Sequence, residues 1–229
     1  FQAEDGIRDR SPSRGLGDVY KRQLKVMERA KAIVADIDNN GRDDIVIDFG
    51  AYGVWAYMNG GVGSNPWQLI DARSPDWMST AVLDASGQKS LVMSFGAGTG
   101  AAQSPPGKGV WAYAHLSKAW RQLDYRATAS VRGIALDFDG NGQDDLVVDF
   151  GTNGLWRYVP GSAAPWVQLH ALGSKSLTKA DLDSNGQDDL VVDFGSPYGI
   201  YALINGKGGF TAIYGAPATA IAAGQIDGK

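Results

Sequence analysis

Three short acidic loops are the part of the sequence whose residue types and spacing could do chemistry. They read D-I-D-N-N-G-R-D-D over residues 36–44, D-F-D-G-N-G-Q-D-D over residues 137–145 and D-L-D-S-N-G-Q-D-D over residues 181–189. Each loop places oxygen ligands at alternate positions around a glycine, as a hard cation with roughly six to eight oxygen ligands requires. The loops therefore predict about three calcium sites.

The predicted ligands occupy the same five positions in each loop. Positions 1, 3, 5 and 9 contribute side chains, and position 7 contributes only its backbone carbonyl, so Arg or Gln is tolerated there. The three sets are Asp36, Asp38, Asn40, the Arg42 carbonyl and Asp44; Asp137, Asp139, Asn141, the Gln143 carbonyl and Asp145; and Asp181, Asp183, Asn185, the Gln187 carbonyl and Asp189. Magnesium accepts the same oxygens but prefers a rigid octahedral shell with retained waters, so calcium is the predicted ion.

Two other structures share part of this pattern. An EF-hand requires Glu at position 12 and a helix on either side, but that position is Ile47, Val148 or Val192 in a strand-like run, which excludes an EF-hand. Asp, Asn and Gly also form ordinary turns. Three copies in phase favour calcium over a simple turn, because three carboxylates held close together repel one another unless a cation neutralises them.

The corresponding segment at residues 82–90 keeps the length of the loop without its ligands. Positions 1, 3, 5 and 9 are Val82, Asp84, Ser86 and Ser90, which leaves a single carboxylate. We expect this loop to bind no calcium. Calcium in the other loops is then expected to be structural rather than catalytic.

The elements that position the loops recur with a period of about 44 residues. Copies begin at residues 36, 82, 137, 181 and 225, and the one long spacing contains an insertion at residues 101–108. Val, Ile, Trp and Tyr fill four strand-like segments in each unit, Gly, Asn, Pro and Ser fill the joints, and no segment keeps a helical period. Four short strands in a repeat of this length predict an all-β protein, a β-propeller of four-stranded blades.

The chain divides into a terminal segment and the repeats. Residues 1–23 resemble a translated sequencing adaptor and are expected to be non-native or disordered, with a genuine polar extension as the alternative. The predicted propeller covers residues 24–229, with blades at about 24–75, 76–126, 127–173 and 174–216 and the start of a fifth at 217–229. We expect an internal fragment of a longer protein, and a larger ring rather than a closed ring of four blades.

Composition argues against several classes of function. The chain has no cysteine, which removes disulfides, thiolate metal sites and cysteine nucleophiles. Its formal net charge is -4, its Lys and Arg residues are scattered, and no apolar run approaches the roughly 18 residues of a membrane span, so we expect neither nucleic-acid binding nor membrane insertion. His115 and His170 are isolated and no hydrolase, metalloprotease or P-loop motif occurs, so we do not expect an enzyme.

The repeats resemble the FG-GAP or VCBS class of calcium-binding β-propeller repeat over residues 24–229. The resemblance rests on the D-x-D-x-N-G-x-D-D loops and on the Phe-Gly pairs that begin at Phe49, Phe95, Phe150 and Phe194. It implies that calcium braces the loop between the first two strands of a blade. Repeats of this class serve adhesion, sugar binding and scaffolding, so the resemblance says more about the fold than about the function.

The predicted function is an extracellular or cell-surface binding, adhesion or scaffolding module that calcium stabilises. Loops with three carboxylates and an Asn, but no bidentate Glu, suit the calcium concentrations outside cells. A carbohydrate-binding propeller stays open, as does a self-assembling repeat or a non-catalytic domain of a larger exported enzyme. The ligand is therefore an unidentified protein or glycan, and self-association is open.

Two further sets of residues each have two interpretations. Asp48, Asp149 and Asp193 precede the Phe-Gly pairs and either support the metal loops or cap the turn that follows the strand. Aromatic residues of the third and fourth strands either stack on sugars between blades or, as we expect, pack the core. The aromatic residues are Trp55, Trp111, Trp156 and Tyr201, with Trp67, Trp120, Trp166 and Phe210.

Overall fold

Four antiparallel sheets make up the part of the chain that the computed structural model describes, residues 31–60, 65–96, 107–126 and 131–224. Sixteen strands lie in these residues, and each sheet contains four of them in the order of the sequence. The prediction of an all-β chain with four-stranded blades is confirmed. The adaptor-like segment, residues 101–106 of the insertion and the fifth unit from residue 225 lie outside the described residues.

The strands are numbered here in chain order. The first blade contains β1 (Lys31–Ala35), β2 (Asp44–Asp48), β3 (Val54–Tyr57) and β4 (Trp67–Asp71). The second contains β5 (Trp77–Val82), β6 (Lys89–Phe95), β7 (Gly109–Ala114) and β8 (Ala119–Asp124). The third contains β9 (Arg132–Leu136), β10 (Asp145–Asp149), β11 (Leu155–Tyr158) and β12 (Trp166–His170). The fourth contains β13 (Ser176–Ala180), β14 (Asp189–Asp193), β15 (Ile200–Leu203) and β16 (Thr211–Tyr214). Short 3₁₀ turns occupy Gly50–Tyr52, Gly151–Asn153 and Ile204–Gly206.

No helix in the described part of the chain has the length and hydrophobicity that a membrane crossing requires.

A glycine precedes or begins the third strand of every blade and allows the fourth strand to approach closely. In the third blade Gly154 has φ 83° and ψ -171°, a conformation essentially restricted to glycine. A Cβ at this position would overlap the backbone carbonyl oxygen of His170. The register of β11 and β12 shifts between Leu155 and Trp156 at the same place, so the glycine sets the pairing of the outer strand.

The hydrophobic core lies between blades rather than within them. Because side chains alternate across a strand, Leu91 of β6 faces the first blade while its neighbour Val92 faces the third. Leu190 of β14 packs in the same way against Leu136 and Phe138 of the third blade. The first strands of consecutive blades are also in contact, β1 with β5, β5 with β9 and β9 with β13. Each sheet is therefore stabilised by its neighbours, as in a β-propeller.

The first and fourth blades each have a face on which no described blade packs. Ile45 is 40% exposed, whereas Leu91 and Leu146 at the same strand position are buried. Leu182 is 48% exposed, although Phe138 at the same loop position is fully buried. The apolar pattern of the repeat therefore continues onto both outer faces.

Candidate functional sites

The acidic loops lie together on one rim of the blades. In a sheet of four sequential antiparallel strands, the connection between strands 1 and 2 and the connection between strands 3 and 4 fall at the same end. The loops at residues 36–44, 137–145 and 181–189 are the first of these connections in their blades. The turn after the third strand of each blade is consequently available to contact the loop.

The first and fourth loops each gather three carboxylates. One oxygen each of Asp36, Asp38 and Asp44 lies within 4.8 Å of the others, and Asp181, Asp183 and Asp189 form the same group in the fourth blade. Asp44 and Asp189 are fully buried and the other acids are partly or fully exposed. Both groups therefore have the oxygen donors and the concentrated negative charge that suit calcium.

The buried carboxylate of each group is held by two backbone amides. Asp44 accepts hydrogen bonds from the N–H groups of Ile37 at 3.1 Å and Asn59 at 2.8 Å. In the fourth blade the corresponding donors to Asp189 are Leu182 and Asn205, both at 2.7 Å. The same carboxylate thus connects the loop to the turn after the third strand, which fixes its orientation towards the other acids.

Backbone amides also keep the first acid of the first and fourth loops ionised. Asp36 accepts from the N–H groups of Asn40 at 3.1 Å and Gly41 at 2.7 Å. Burial raises the pKa of Asp36, but these donors outweigh it and hold the pKa below its ordinary value. The N–H of Gly186, helped by that of Asn185, lowers the pKa of Asp181 in the same way. Both carboxylates are therefore charged at neutral pH and able to bind a cation.

The asparagine at position 5 shapes all three loops alike. Its side-chain oxygen accepts the N–H of the position-7 residue, whose carbonyl is the predicted ligand. The pairs are Asn40 with Arg42 at 2.8 Å, Asn141 with Gln143 at 2.6 Å and Asn185 with Gln187 at 2.7 Å. The backbone turn that brings the predicted ligands together is thus present in each loop.

The loop at residues 137–145 differs from the other two, although the whole of it is described. Asp145 forms an ion pair with Arg157, whose Nη2 lies 2.6 Å from the carboxylate, and the acids of this loop do not form a close group of three. Burial raises the pKa of Asp145 even though Arg157 opposes the shift. The cause lies in the third strand and the turn after it. Pro160 stands where the first blade has Asn59 and has no N–H to offer, and Arg157 of β11 supplies the missing donor.

The second loop carries the single carboxylate that its sequence predicts. The hydroxyl and backbone N–H of Ser86 lower the pKa of Asp84, and the N–H lies 2.9 Å from the carboxylate. The turn therefore closes without a cluster of acids.

A further acidic position, missed by the sequence analysis, joins neighbouring blades. The carboxylate of Asp144 accepts the N–H of Val82 at 2.7 Å, and the N–H of Asp144 donates to the carbonyl of Val82 at 2.7 Å. Asp188 makes the same reciprocal pair with the backbone of Asp137, with both distances at 3.0 Å. Position 8 of one loop thus fixes position 1 of the preceding loop. The signal was the first acid of the Asp-Asp pair, which had no predicted role.

The aspartates before the Phe-Gly pairs cap turns at the opposite rim. Asp48, Asp149 and Asp193 each accept the N–H of the glycine two residues later, at 2.9, 2.7 and 2.7 Å. The second oxygen of Asp48 accepts the hydroxyl of Ser74 at 2.7 Å, which ties the turn to the connection between blades. These contacts support the capping interpretation, because the residues lie a full strand away from the acidic loops.

At this opposite rim an arginine fills the interface between the first and second blades. Arg73 donates from Nε and Nη2 to the two carboxylate oxygens of Asp71, both at 2.9 Å. Its guanidinium carbon lies 3.8 Å from the centre of the Phe95 ring. The side chains of Arg73 and Asp71 are only 3% and 0% exposed, so the cation is enclosed between the blades.

Arg126 fills the next interface in the same way. Its Nη2 lies 2.7 Å from the carboxylate of Asp124. The guanidinium carbon is 4.2 Å from the centre of the Phe150 ring, 4.1 Å from that of Trp156 and 5.3 Å from that of Trp166. The repeated Asp-x-Arg, at residues 71–73 and 124–126, was the sequence signal for these contacts.

The interface between the third and fourth blades has no such arginine and contains an open cleft. The corresponding residues are His170 and Leu172. The cleft has a volume of about 600 Å³. Its lining includes Gln168, His170, Leu172, Phe194, Tyr201 and Phe210.

The aromatic residues of the third and fourth strands divide between those that pack in the core and those that also line the cleft. Trp67, Trp120 and Trp166 pack edge-on against the phenylalanine of their own blade, at centroid distances of 5.9, 6.4 and 5.7 Å. This agrees with the expected core packing. The rings of Tyr201 and Phe210 also pack edge-on against Phe194, at centroid distances of 5.7 and 5.4 Å, and both residues line the open cleft. The fourth blade therefore presents its aromatic residues to a cavity.

Comparison with known proteins finds similarity in fold. No protein-family model and no curated protein matches the chain. A solved lectin from Agrocybe aegerita, which specifically recognises non-reducing terminal N-acetylglucosamine, is 22% identical with a TM-score of 0.54, over 80% of this chain and 51% of that one. BBS1N, solved in complex with ARL6DN, is 12% identical with a TM-score of 0.51, over 82% and 53%. The chain thus spans about half the length of both structures, and the likeness supports the β-propeller fold.

Proposed function

We propose that the chain is a binding module whose cleft between the third and fourth blades takes a neutral saccharide. The observation that carries this proposal is the cleft itself, an aromatic-lined cavity of about 600 Å³ at the interface that lacks the Asp-x-Arg pair. Small-molecule sites are typically concave and mostly apolar, with a few polar groups that orient the ligand. The proposed role is binding rather than catalysis.

The lining favours a neutral ligand over a charged one. None of the residues that line the cleft is Asp, Glu, Lys or Arg. The rings of Tyr201 and Phe210 offer flat apolar surface, which can stack on the C–H face of a sugar, and the His170 ring packs on Phe194 behind them. Gln168 and His170 offer hydrogen-bonding groups beside them. Stacking together with a few polar contacts is the combination that a saccharide requires, and the fold similarity to an N-acetylglucosamine-specific lectin is in keeping with it.

We further propose that calcium braces the first and fourth acidic loops. Calcium would be held by Asp36, Asp38 and Asp44 in one loop and by Asp181, Asp183 and Asp189 in the other, and it would neutralise their charge. At residues 137–145 the Arg157 cation already balances Asp145, so this loop should bind calcium more weakly. These repeats would then belong to the FG-GAP or VCBS class, and the calcium supply of an extracellular or cell-surface location would suit them.

Self-association is a second candidate function, and the outer faces of the first and fourth blades support it. Ile45 and Leu182 are exposed where the corresponding residues of other blades are buried. A face of this kind on a folded chain is a surface for another blade, from a second copy or from another part of a longer protein.

A binding experiment on calcium-loaded protein tests the saccharide proposal. A glycan array that includes N-acetylglucosamine-terminated oligosaccharides should identify a ligand, and calorimetry should then measure its affinity. Tyr201→Ala removes one ring from the cleft and should weaken binding about tenfold. Tyr214→Ala is the matched control, because Tyr214 is 63% exposed in the same blade and does not line the cleft.

Either of two results would contradict the proposal. One is a folded, calcium-loaded protein that binds no glycan on the array. The other is a Tyr201→Ala variant that binds the identified glycan as tightly as the unmodified protein does.

A further inference from the structure

We infer that the side chains of Arg73 and Arg126 occupy cavities that would otherwise match the open cleft. We call such a side chain a plug, and the interface that it fills a latent cleft. The inference rests on the proposed function for the ligand, a neutral saccharide. Beyond that function, we infer that the residue two positions after the fourth strand of a blade decides whether the interface with the next blade can bind a saccharide.

The filled and open interfaces are built from the same three aromatic positions. The phenylalanine of the Phe-Gly pair, the aromatic residue of the third strand and that of the fourth strand surround the guanidinium of Arg126, with ring centres 4.2, 4.1 and 5.3 Å away. In the next blade these positions are Phe194, Tyr201 and Phe210, and all three line the open cleft. The three aromatic positions are therefore shared. The occupant differs, and so does one contact of the wall, because the indole N–H of Trp166 donates to the Leu123 carbonyl at 2.8 Å and Phe210 has no such donor.

Each plug is held by a carboxylate two residues before it. Asp124 accepts the backbone N–H of Arg126 at 2.6 Å and its Nε and Nη2 at 2.9 and 2.7 Å. Asp71 accepts the same three groups of Arg73, at 2.8, 2.9 and 2.9 Å. One carboxylate thus fixes both the backbone turn and the guanidinium. A neutral saccharide has no charge with which to replace the arginine in this pair, so it cannot displace the plug without leaving a buried carboxylate unpaired.

The third interface keeps the backbone turn without the charges. The N–H of Leu172 donates to Nδ1 of His170 at 3.1 Å, as the N–H of Arg126 donates to the carboxylate of Asp124. The His170 ring packs on Phe194 with their centroids 4.5 Å apart. The pair of substitutions, Asp to His and Arg to Leu, therefore removes the plug and its counter-ion together while the chain follows the same path.

Exchanging the two residue pairs between interfaces should open one cleft and close the other. The variant Asp124→His with Arg126→Leu gives the second interface the residues of the third. The reciprocal variant, His170→Asp with Leu172→Arg, places a plug and its carboxylate in the open cleft. Both variants use side chains that the chain already accommodates at an equivalent position, and near-UV circular dichroism will verify that they fold.

Two measurements follow the exchange. Calorimetry with N,N′,N″-triacetylchitotriose, or the best ligand from the array, counts saccharide sites. Relative to the unmodified protein, the opened variant should gain one site and the closed variant should lose one. Acrylamide quenching of tryptophan fluorescence needs no saccharide and should increase in the opened variant, because Arg126 covers Trp156 and Trp166. The closed variant is the control for quenching and should show no change, because no tryptophan lines the cleft between the third and fourth blades.

These measurements separate the inference from the proposed function. If the unmodified protein binds no saccharide, the proposed function fails, and quenching alone then decides whether Arg126 is a plug. Folded exchange variants with unchanged quenching and unchanged numbers of sites would overturn the inference. A gain of one saccharide site is likewise expected for Asp71→His with Arg73→Leu, because Arg73 fills the first interface over the Phe95 ring.

Discussion

Removing calcium should lower the thermal stability of the chain by an amount that the number of metal loops determines. A ligand that binds only the folded state at about 100 times its dissociation constant stabilises that state by about 2.7 kcal/mol per site. The first and fourth loops each gather three carboxylates. Their contributions should add, because the loops lie in different blades and share no ligands, which gives about 5.4 kcal/mol.

This free energy corresponds to a large shift in melting temperature. For domains of about 150–250 residues, 1 kcal/mol shifts the melting temperature by about 2–4 °C. The difference between protein in excess calcium and protein in excess chelator should therefore be about 10–20 °C. Differential scanning calorimetry measures this shift, and isothermal calorimetry on chelator-treated protein counts the sites directly.

A matched pair of charge-removing variants tests the difference between loops. Asp183→Asn changes position 3 of the fourth loop and should abolish about half of the calcium-dependent shift. Asp139→Asn changes the same position in the loop where Arg157 pairs with Asp145, and it should leave most of the shift intact. In chelator, Asp183→Asn should melt no lower than the unmodified protein, because it relieves repulsion among three carboxylates.

Coincident melting curves in calcium and in chelator would contradict the calcium proposal. A shift reduced as much by Asp139→Asn as by Asp183→Asn would show that the Arg157 pair has no influence on metal binding.

Three further changes test other parts of the structure. Arg73→Leu leaves the buried Asp71 carboxylate unpaired, so the unfolding free energy from a denaturant titration should fall by about 3–5 kcal/mol. Gly154→Ala introduces a side chain at φ 83° that overlaps the His170 carbonyl, and it should lower the same quantity by about 3 kcal/mol or more. His115 is buried, and its burial lowers the pKa of its imidazole, although Asp residues nearby oppose the shift. The unfolded chain therefore takes up this proton first, and the stability should decrease as the pH falls below about 6.5.

Each of these changes has a control within the chain. Lys179→Leu removes an ion pair whose lysine is 43% exposed, and it should cost no more than about 1 kcal/mol. Gly142→Ala also has a positive φ of 81° but has open space around its Cβ, so a loss as large as that of Gly154→Ala would exclude the overlap as the cause. His115→Phe should flatten the pH dependence below about 6.5, and an unchanged slope would assign it to other groups.

The sequence predicts the blades because their signals are local and repeated. Alternating apolar residues, glycine turns and a loop of fixed length recur at one period, and each signal lies within a few residues of the strand it specifies. The acids of the loops are identified in the same way. The prediction treated three loops as equal because they are nearly identical over nine residues, and what separates them is Arg157 and Pro160, which lie after a complete strand and a turn.

Contacts between blades are harder to predict because their partners are distant in sequence. The amide that Asp144 accepts belongs to Val82, 62 residues earlier. Arg126 stacks on Trp166, which lies in the next blade. Only the shared phase of the repeats relates such residues, so Asp-x-Arg becomes recognisable once the strands have been aligned blade by blade.

Counted between equivalent paired residues, the loops between the first two strands of the four blades share one length, and they balance the charge of their acids in three ways. The first and fourth loops gather three carboxylates that an external cation would neutralise. The third supplies its own cation, Arg157, and the second retains only Asp84. All four nevertheless connect the first two strands of a four-stranded blade. Because the second blade keeps the same strand order with a single carboxylate, we propose that calcium adjusts the stability of individual blades rather than specifying their fold. The interfaces at the opposite rim should follow the same rule, because an Asp-x-Arg pair fills two of them and His170 with Leu172 stands at the equivalent positions of the open cleft.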